Sequence, residues 1–239
     1  MKSVLRSSLA LALLLGVLAT TAFAERSLGS ACIRASDRST PVSFRSPDGV
    51  RLAGNVLGRG KTGIVFAHQV AGDRCQWIEF ARELSSKGYR ALVFDMRGYG
   101  TSAGVANVSP QLDVLGATAE LRRRGAKKIV LVGASMGGTG VVSAAPITRP
   151  AVAGVVELSA PTAFGGANAL AAAKKLKLPA LFVAGRDDGD FAAATRALYR
   201  AAATRDKTLR IAPTPWHGVD LMALPTVRKL VLDFVQRVT

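Results

Sequence analysis

"IVLVGASMGGTG", residues 129–140, sets four apolar residues directly against a serine fenced by glycines. A buried strand accounts for Ile129 to Val132. It leaves Gly133, Ser135, Gly137, Gly138 and Gly140 unexplained. A strand, a very tight turn and a helix account for them all, with Ser135 at the apex of the turn. Gly133 and Gly137 remove side chains that would collide across so sharp a bend. At the apex the backbone enters a sparsely allowed region, costing on the order of 1–3 kcal/mol. The serine hydroxyl then stands clear of the sheet. The N–H of Met136 opens the helix, where the dipole favours a developing oxyanion. With 24 glycines in 239 residues, a G-x-S-x-G match alone means little. The strand before it and the helix after it give it weight.

The same alternation runs through the chain on either side. "PVSFRSPDGVRLAGNVLG" (41–58) reads as two alternating runs around a turn, a hairpin. "GIVFAH" (63–68) is a short buried strand, and "QWIEFARELSSKGY" (76–89) has helical spacing with Gly88 as its stop. "RALVFDMRG" is a further strand. Ser109 and Pro110 read as an N-cap and a first-turn proline before "QLDVLGATAELRRRG". "VAGVVELSA" and "PALFVAG" are apolar strands, "DFAAATRALYRAAA" a helix, "KTLRIAP" a strand and "PTVRKLVLDFVQRV" a closing helix. Strands alternating with helices predict an α/β fold: a mainly parallel sheet of about eight strands, covered by helices on both faces. The hairpin supplies an antiparallel N-terminal edge. In such sheets ligands bind at the carboxyl ends of the strands, so chemistry is sought in the loops that follow them.

Residues 1–24 read as a secretory signal rather than as part of the fold. Lys2 and Arg6 precede an uncharged apolar run, and Ala22 and Ala24 suit a signal peptidase. That run falls short of the roughly 20 residues a bilayer span needs. The division expected is therefore a signal at 1–24, an N-terminal segment at 25–40 and one catalytic domain at 41–239. Localisation is then secreted, periplasmic or cell-envelope, with no membrane span after signal removal. In an oxidising compartment Cys32 and Cys75 are expected to form a disulfide.

Charge bounds the partners. The chain carries 32 Lys+Arg against 16 Asp+Glu; loss of Lys2 and Arg6 with the signal leaves 30 against 16, a net +14. Such a balance favours anionic surroundings, and an anionic cell-envelope surface is a candidate partner. "RRRGAKK" (122–128) and "KKLK" (174–177) read as solvated helix ends and loops, where cations suit the helix dipole. No aromatics interleave with them, so specific nucleic-acid binding is not expected.

A serine needs a base, and the chain has two histidines. His68 ends a strand before the elbow. His217, in "TPWHGVD", follows the last strand, and a base there fits the order serine, acid, histidine. The acid belongs between them. Asp187, Asp188 and Asp190 follow the strand "LFVAG", with Asp190 also suited to cap the next helix. Glu157 lies inside a strand. Spacing alone does not choose between Asp187 and Asp188.

Taken together, these residues resemble the α/β-hydrolase superfamily over nearly all of 41–239, closest to compact, lidless bacterial serine esterases and dienelactone-hydrolase-like proteins. "HQVAGD" (68–73) stands where that family has His-Gly-x, with Gln69 in place of the glycine and Val70 as the second oxyanion donor beside Met136. "DMRGYGTS" (95–102) matches D-x-R-G-x-G-x-S, which serves structure near the site. "GRDD" matches G-x-x-D and selects Asp188. The resemblance implies a Ser135–His217–Asp188 triad acting on a small-molecule ester or thioester through an acyl-enzyme, without metal or organic cofactor. Only about twenty residues separate "VVELSA" from "PALFVAG", room for one helix and no cap domain. Two other readings share this fold: an envelope acyltransferase, and a non-catalytic basic envelope-binding protein.

Overall fold

The computed structural model describes residues 31–239; the expected signal at 1–24 lies outside the described residues. Ten strands, β1 (Thr40–Arg45), β2 (Arg51–Leu57), β3 (Thr62–Ala67), β4 (Arg90–Asp95), β5 (Lys128–Ala134), β6 (Gly154–Leu158), β7 (Ala163–Phe164), β8 (Ala167–Asn168), β9 (Ala180–Gly185) and β10 (Lys207–Ala212), are seen among them. Six helices accompany them: α1 (Ile78–Ser86), α2 (Pro110–Arg123), α3 (Met136–Ala144), α4 (Ala169–Ala173), α5 (Phe191–Ala201) and α6 (Pro225–Val238). Eight strands form one sheet in the order β1-β2-β4-β3-β5-β6-β9-β10; β7 and β8 make a separate two-residue ribbon. From β4 to β10 every pairing is parallel, and β2 runs antiparallel to both β1 and β4. The predicted sheet, with its hairpin edge, is the one observed.

Period-two geometry explains why these strands read as unbroken apolar runs. In β3, Val65 packs with α2 and α3 on one face, while Ile64 and Phe66 pack with α1 and α6 on the other. Leu131 and its neighbours Val130 and Val132 divide the same way. In these central strands both faces are covered, so no position can be polar without a cost, whereas the edge strands β1 and β10 alternate between more and less exposed positions.

Two local expectations are corrected. Ser109 sits in the left-handed region (φ 48°) and its side chain makes no cap to α2. Its N–H donates instead to Gly165 O of the β7–β8 turn (2.7 Å), so a tertiary contact sets its backbone. Asp190 precedes α5 with a helical backbone, and its carboxylate makes no capping bond.

Cys32 and Cys75 form a disulfide, with Cα atoms 5.7 Å apart. Asp37 and Arg82 reinforce it through an ion pair at 2.7 Å, and Arg82 also donates to Cys32 O. The bridge ties the N-terminal segment to the 3-10 turn Arg74–Trp77, directly after the loop that leaves β3. Closing 43 residues contributes about 4 kcal/mol in the chain-entropy model. Replacing both cysteines by serine is expected to lower the melting temperature by roughly 10 °C; calorimetry showing no shift would contradict this contribution.

Candidate active site

Ser135 occupies the apex between β5 and α3, with φ 49° and ψ −115°. A non-glycine residue holds such a conformation only where its surroundings over-determine it. Here the Ser135 N–H donates to Leu158 O (2.8 Å) at the end of β6, and Ser135 O accepts from Thr139 N–H (2.9 Å). A Cβ at Gly137 would collide with the Ala67 carbonyl of β3, and one at Gly133 with Gly137's own carbonyl. Both glycines therefore allow α3 to start flush against the sheet. Met136, the first residue of α3, is buried with the whole of that helix.

His217 lies in the loop after β10, as the sequence order predicts. Its Nδ1 stands 3.0 and 3.1 Å from the two carboxylate oxygens of Asp188. Of the three neighbouring acids it is Asp188 that makes this contact, and Asp188 is buried whereas Asp187 and Asp190 are exposed. The Asp188 loop is braced by Arg186 N–H to Ala212 O (2.7 Å) and Asp187 N–H to Thr214 O (3.2 Å). Phe191 lies against the imidazole, with ring centroids 4.2 Å apart. With Nδ1 engaged by the carboxylate, Nε2 is the nitrogen left for proton transfer. The His217–Gly218 segment reaches the elbow itself: a Cβ at Gly218 would lie 3.5 Å from the Ala134 side chain.

Gln69, the residue that departs from the family pattern, links the loop after β3 to this segment. Its Oε1 accepts the Val219 N–H (2.9 Å), and its own N–H donates to Gln76 Oε1 (3.2 Å). Gly218 takes φ 56°, and a Cβ there would collide with Gln69 Oε1. A larger side chain at Gly218 and this glutamine could not coexist. Val70 follows at the exposed rim, 39% accessible, and Trp216 stands at 43%. The role of Gln69 was missed in the sequence; its only signal was the broken His-Gly-x.

The other candidates lie elsewhere. His68 is buried, accepts the Met96 N–H at Nε2 (2.9 Å) and holds Gln69 O at Nδ1 (2.8 Å). Desolvation pushes its pKa below the usual value, so it is a fixed neutral ring. Glu157 is buried on the α5 side of β6, with Ala160 N–H donating to Oε2 (2.9 Å). Burial pushes its pKa up to about 8. The D-x-R-G-x-G-x-S loop is structural. Asp95 Oδ1 accepts from the Arg74 N–H and Nε, each at 3.0 Å. Arg97 bridges Asp113 (2.8 Å) and Asp48 (2.7 Å).

The comparisons agree with this architecture. No curated protein sequence matches the chain. Among solved structures, a Pyrococcus furiosus esterase superposes with a TM-score of 0.73 at 20% identity, over 85% of this chain and 92% of its own. The dienelactone hydrolase of Anabaena variabilis gives 0.70 at 21%, over 84% and 97%. The enol-lactonase of Burkholderia xenovorans gives 0.67 at 19%, over 82% and 100%. At such identities these likenesses speak for the fold. The family model of the alpha/beta hydrolase fold matches residues 63–185, from β3 through the elbow to the end of β9. The chain belongs to the alpha/beta hydrolase fold family.

Proposed function

We propose that this protein is an exported serine hydrolase that cleaves ester or thioester bonds through Ser135, His217 and Asp188. One observation carries the proposal: Asp188 grips His217 Nδ1 on a loop that abuts the elbow bearing Ser135. Ser135 Oγ attacks the acyl carbon while Nε2 of His217 takes its proton. Asp188 fixes the ring's tautomer and stabilises the imidazolium that forms. The N–H groups of Met136 and Val70 receive the oxyanion. Collapse expels the alcohol or thiol, protonated by His217. Water, activated by the same imidazole, then releases the acid. The Cys32–Cys75 disulfide supports export to an oxidising compartment. Among the described residues no helix is long and apolar enough to cross a membrane.

The substrate proposed is a small ester. Between β6 and β9 stand only the β7–β8 ribbon and the five-residue α4. Val70 and Trp216 offer a narrow apolar rim. A nitrophenyl ester series from acetate to decanoate tests this. Highest kcat/KM on the short acyl groups supports the reading; no turnover on any member contradicts it. Adding glycerol as acceptor separates hydrolysis from acyl transfer, since an acyltransferase would give transesterified product above free acid.

A further inference from the structure

The basic runs of the sequence do not scatter once the chain is folded. Seven segments meet at the end of the sheet where the parallel strands begin: 58–62, 87–90, 122–128, 149–153, 174–179, 203–207 and 237–239. They are joined side by side. Lys127 N–H donates to Lys61 O (2.7 Å), and Arg90 reaches Arg59 O and the Arg124 carbonyl. Arg122 reaches Arg149 O, and Lys128 Nζ donates to Thr239 O. Val155 N–H donates to Pro179 O, and Ala180 N–H to Asp206 O. Together these segments hold 16 of the chain's 32 Lys and Arg, and one acidic side chain, Asp206.

Several of these cations bond to main-chain carbonyls at helix ends, as the dipole favours, so no acid neutralises them. Asp206 pairs with Arg237, the buried Glu120 with Arg123 and Arg124, and Asp37, which lies with Arg38 beside the 58–62 segment, with Arg82. Lys61, Lys127, Lys128, Lys174, Lys175 and Lys177 are all exposed. The loops at the opposite end, which carry the candidate active site, are 46–50, 68–76, 95–109, 159–162, 186–190 and 213–224. They hold three basic side chains, Arg74, Arg97 and Arg186, against seven acids. The molecule is therefore a strong electrostatic dipole along its strands.

We propose that this basic end is a docking face for an anionic phospholipid bilayer, holding the protein with its candidate active site turned toward water. The form of the face favours a planar partner. Eight strands at about 4.8 Å spread it over roughly 35 Å. Its cations come from every loop across that width rather than from one stripe that a linear polyanion would follow. Tyr89 is the only aromatic in the seven segments, so adsorption is by charge and not by insertion. Each Lys or Arg near an anionic surface contributes on the order of 1 kcal/mol. The site-bearing end lies beyond the Debye length, about 10 Å at 0.1 M salt, and adds little. This inference does not depend on the hydrolase reading.

Vesicle sedimentation tests it, using chain starting at Glu25, which carries the whole described sheet, and the Ser135→Ala form in parallel. Vesicles contain phosphatidylcholine with or without phosphatidylglycerol, at about 0.1 M salt. Binding is expected only with the anionic lipid, and to fall steeply as salt rises. The triple variant Lys61→Gln, Lys127→Gln, Lys177→Gln is expected to bind about a hundredfold more weakly. A control removing three exposed cations elsewhere, Arg45→Gln, Arg51→Gln and Arg196→Gln, is expected to lose less than threefold. Turnover of a soluble ester, where present, should stay within twofold on the vesicles. Equal losses in the two variants, equal binding to neutral lipid, or capture by a soluble polyanion without vesicle binding would each overturn the proposal. Loss of binding with activity intact, or the reverse, separates its failure from that of the hydrolase reading.

Discussion

Ser135→Ala is expected to lower kcat on a short nitrophenyl ester by on the order of 10⁴- to 10⁶-fold. His217→Ala is expected to do nearly the same, and the double variant little more than either. The non-additivity is the informative part. Hydroxyl and imidazole act as one unit: without the base the serine is a poor nucleophile, and without the serine the base has nothing to activate. Asp188→Asn should cost on the order of 10⁴-fold, because an amide at 3.0 Å from Nδ1 favours the wrong tautomer. KM should move much less than kcat, since these groups act in the transition state. Losses that simply add in the double variant would argue for two separate roles. Thermal melts serve as a control: relief of the strained φ of 49° at the elbow affects stability, not chemistry.

The second large effect concerns stability rather than catalysis. Glu157 has its pKa pushed up to about 8 from an ordinary 4.5 by burial. The Ala160 N–H and the neighbouring Thr195 hydroxyl oppose this rise, but burial outweighs both. A neutral carboxyl tolerates that setting; a carboxylate does not. Between pH 4.5 and 8 the folded state keeps this proton and the unfolded state releases it. The unfolded chain then binds fewer protons, so stability falls as pH rises through that window. At about 1.4 kcal/mol per pH unit, the loss reaches about 4–5 kcal/mol by pH 8. Glu157→Gln keeps an acceptor for the Ala160 N–H and removes the titration. Its denaturant midpoint should lose this part of the pH dependence, matching wild type near pH 5 and exceeding it at pH 9. Parallel profiles for the two proteins would show that Glu157 is ionised in the fold.

Much of this was legible in the sequence because it rests on local rules. Apolar runs of five to seven residues bounded by glycine gave the strands, and the run into Gly133–Ser135–Gly137 gave the elbow, since only a tight turn needs those glycines. Order along the chain pointed to His217, and the fold sets it beside Asp188. What stayed hidden depends on contacts between distant segments. Spacing left Asp187 and Asp188 level and only the G-x-x-D resemblance pointed to Asp188, the carboxylate that faces the imidazole in the fold. Gln69 and Val219 are 150 residues apart, and no local pattern announces their bond. Ser109 fits every capping preference, yet a hydrogen bond to Gly165 holds its backbone elsewhere. The basic runs looked like separate solvated helix ends; the parallel topology collects them at one end.

The most direct test is covalent. The purified protein is treated with a fluorophosphonate, digested, and the adduct located by mass spectrometry. One adduct per chain on the peptide containing Ser135, abolished by His217→Ala in a variant that melts like wild type, is the predicted result. A folded protein that takes no label at Ser135, or takes it equally without His217, would contradict an activated serine at this elbow.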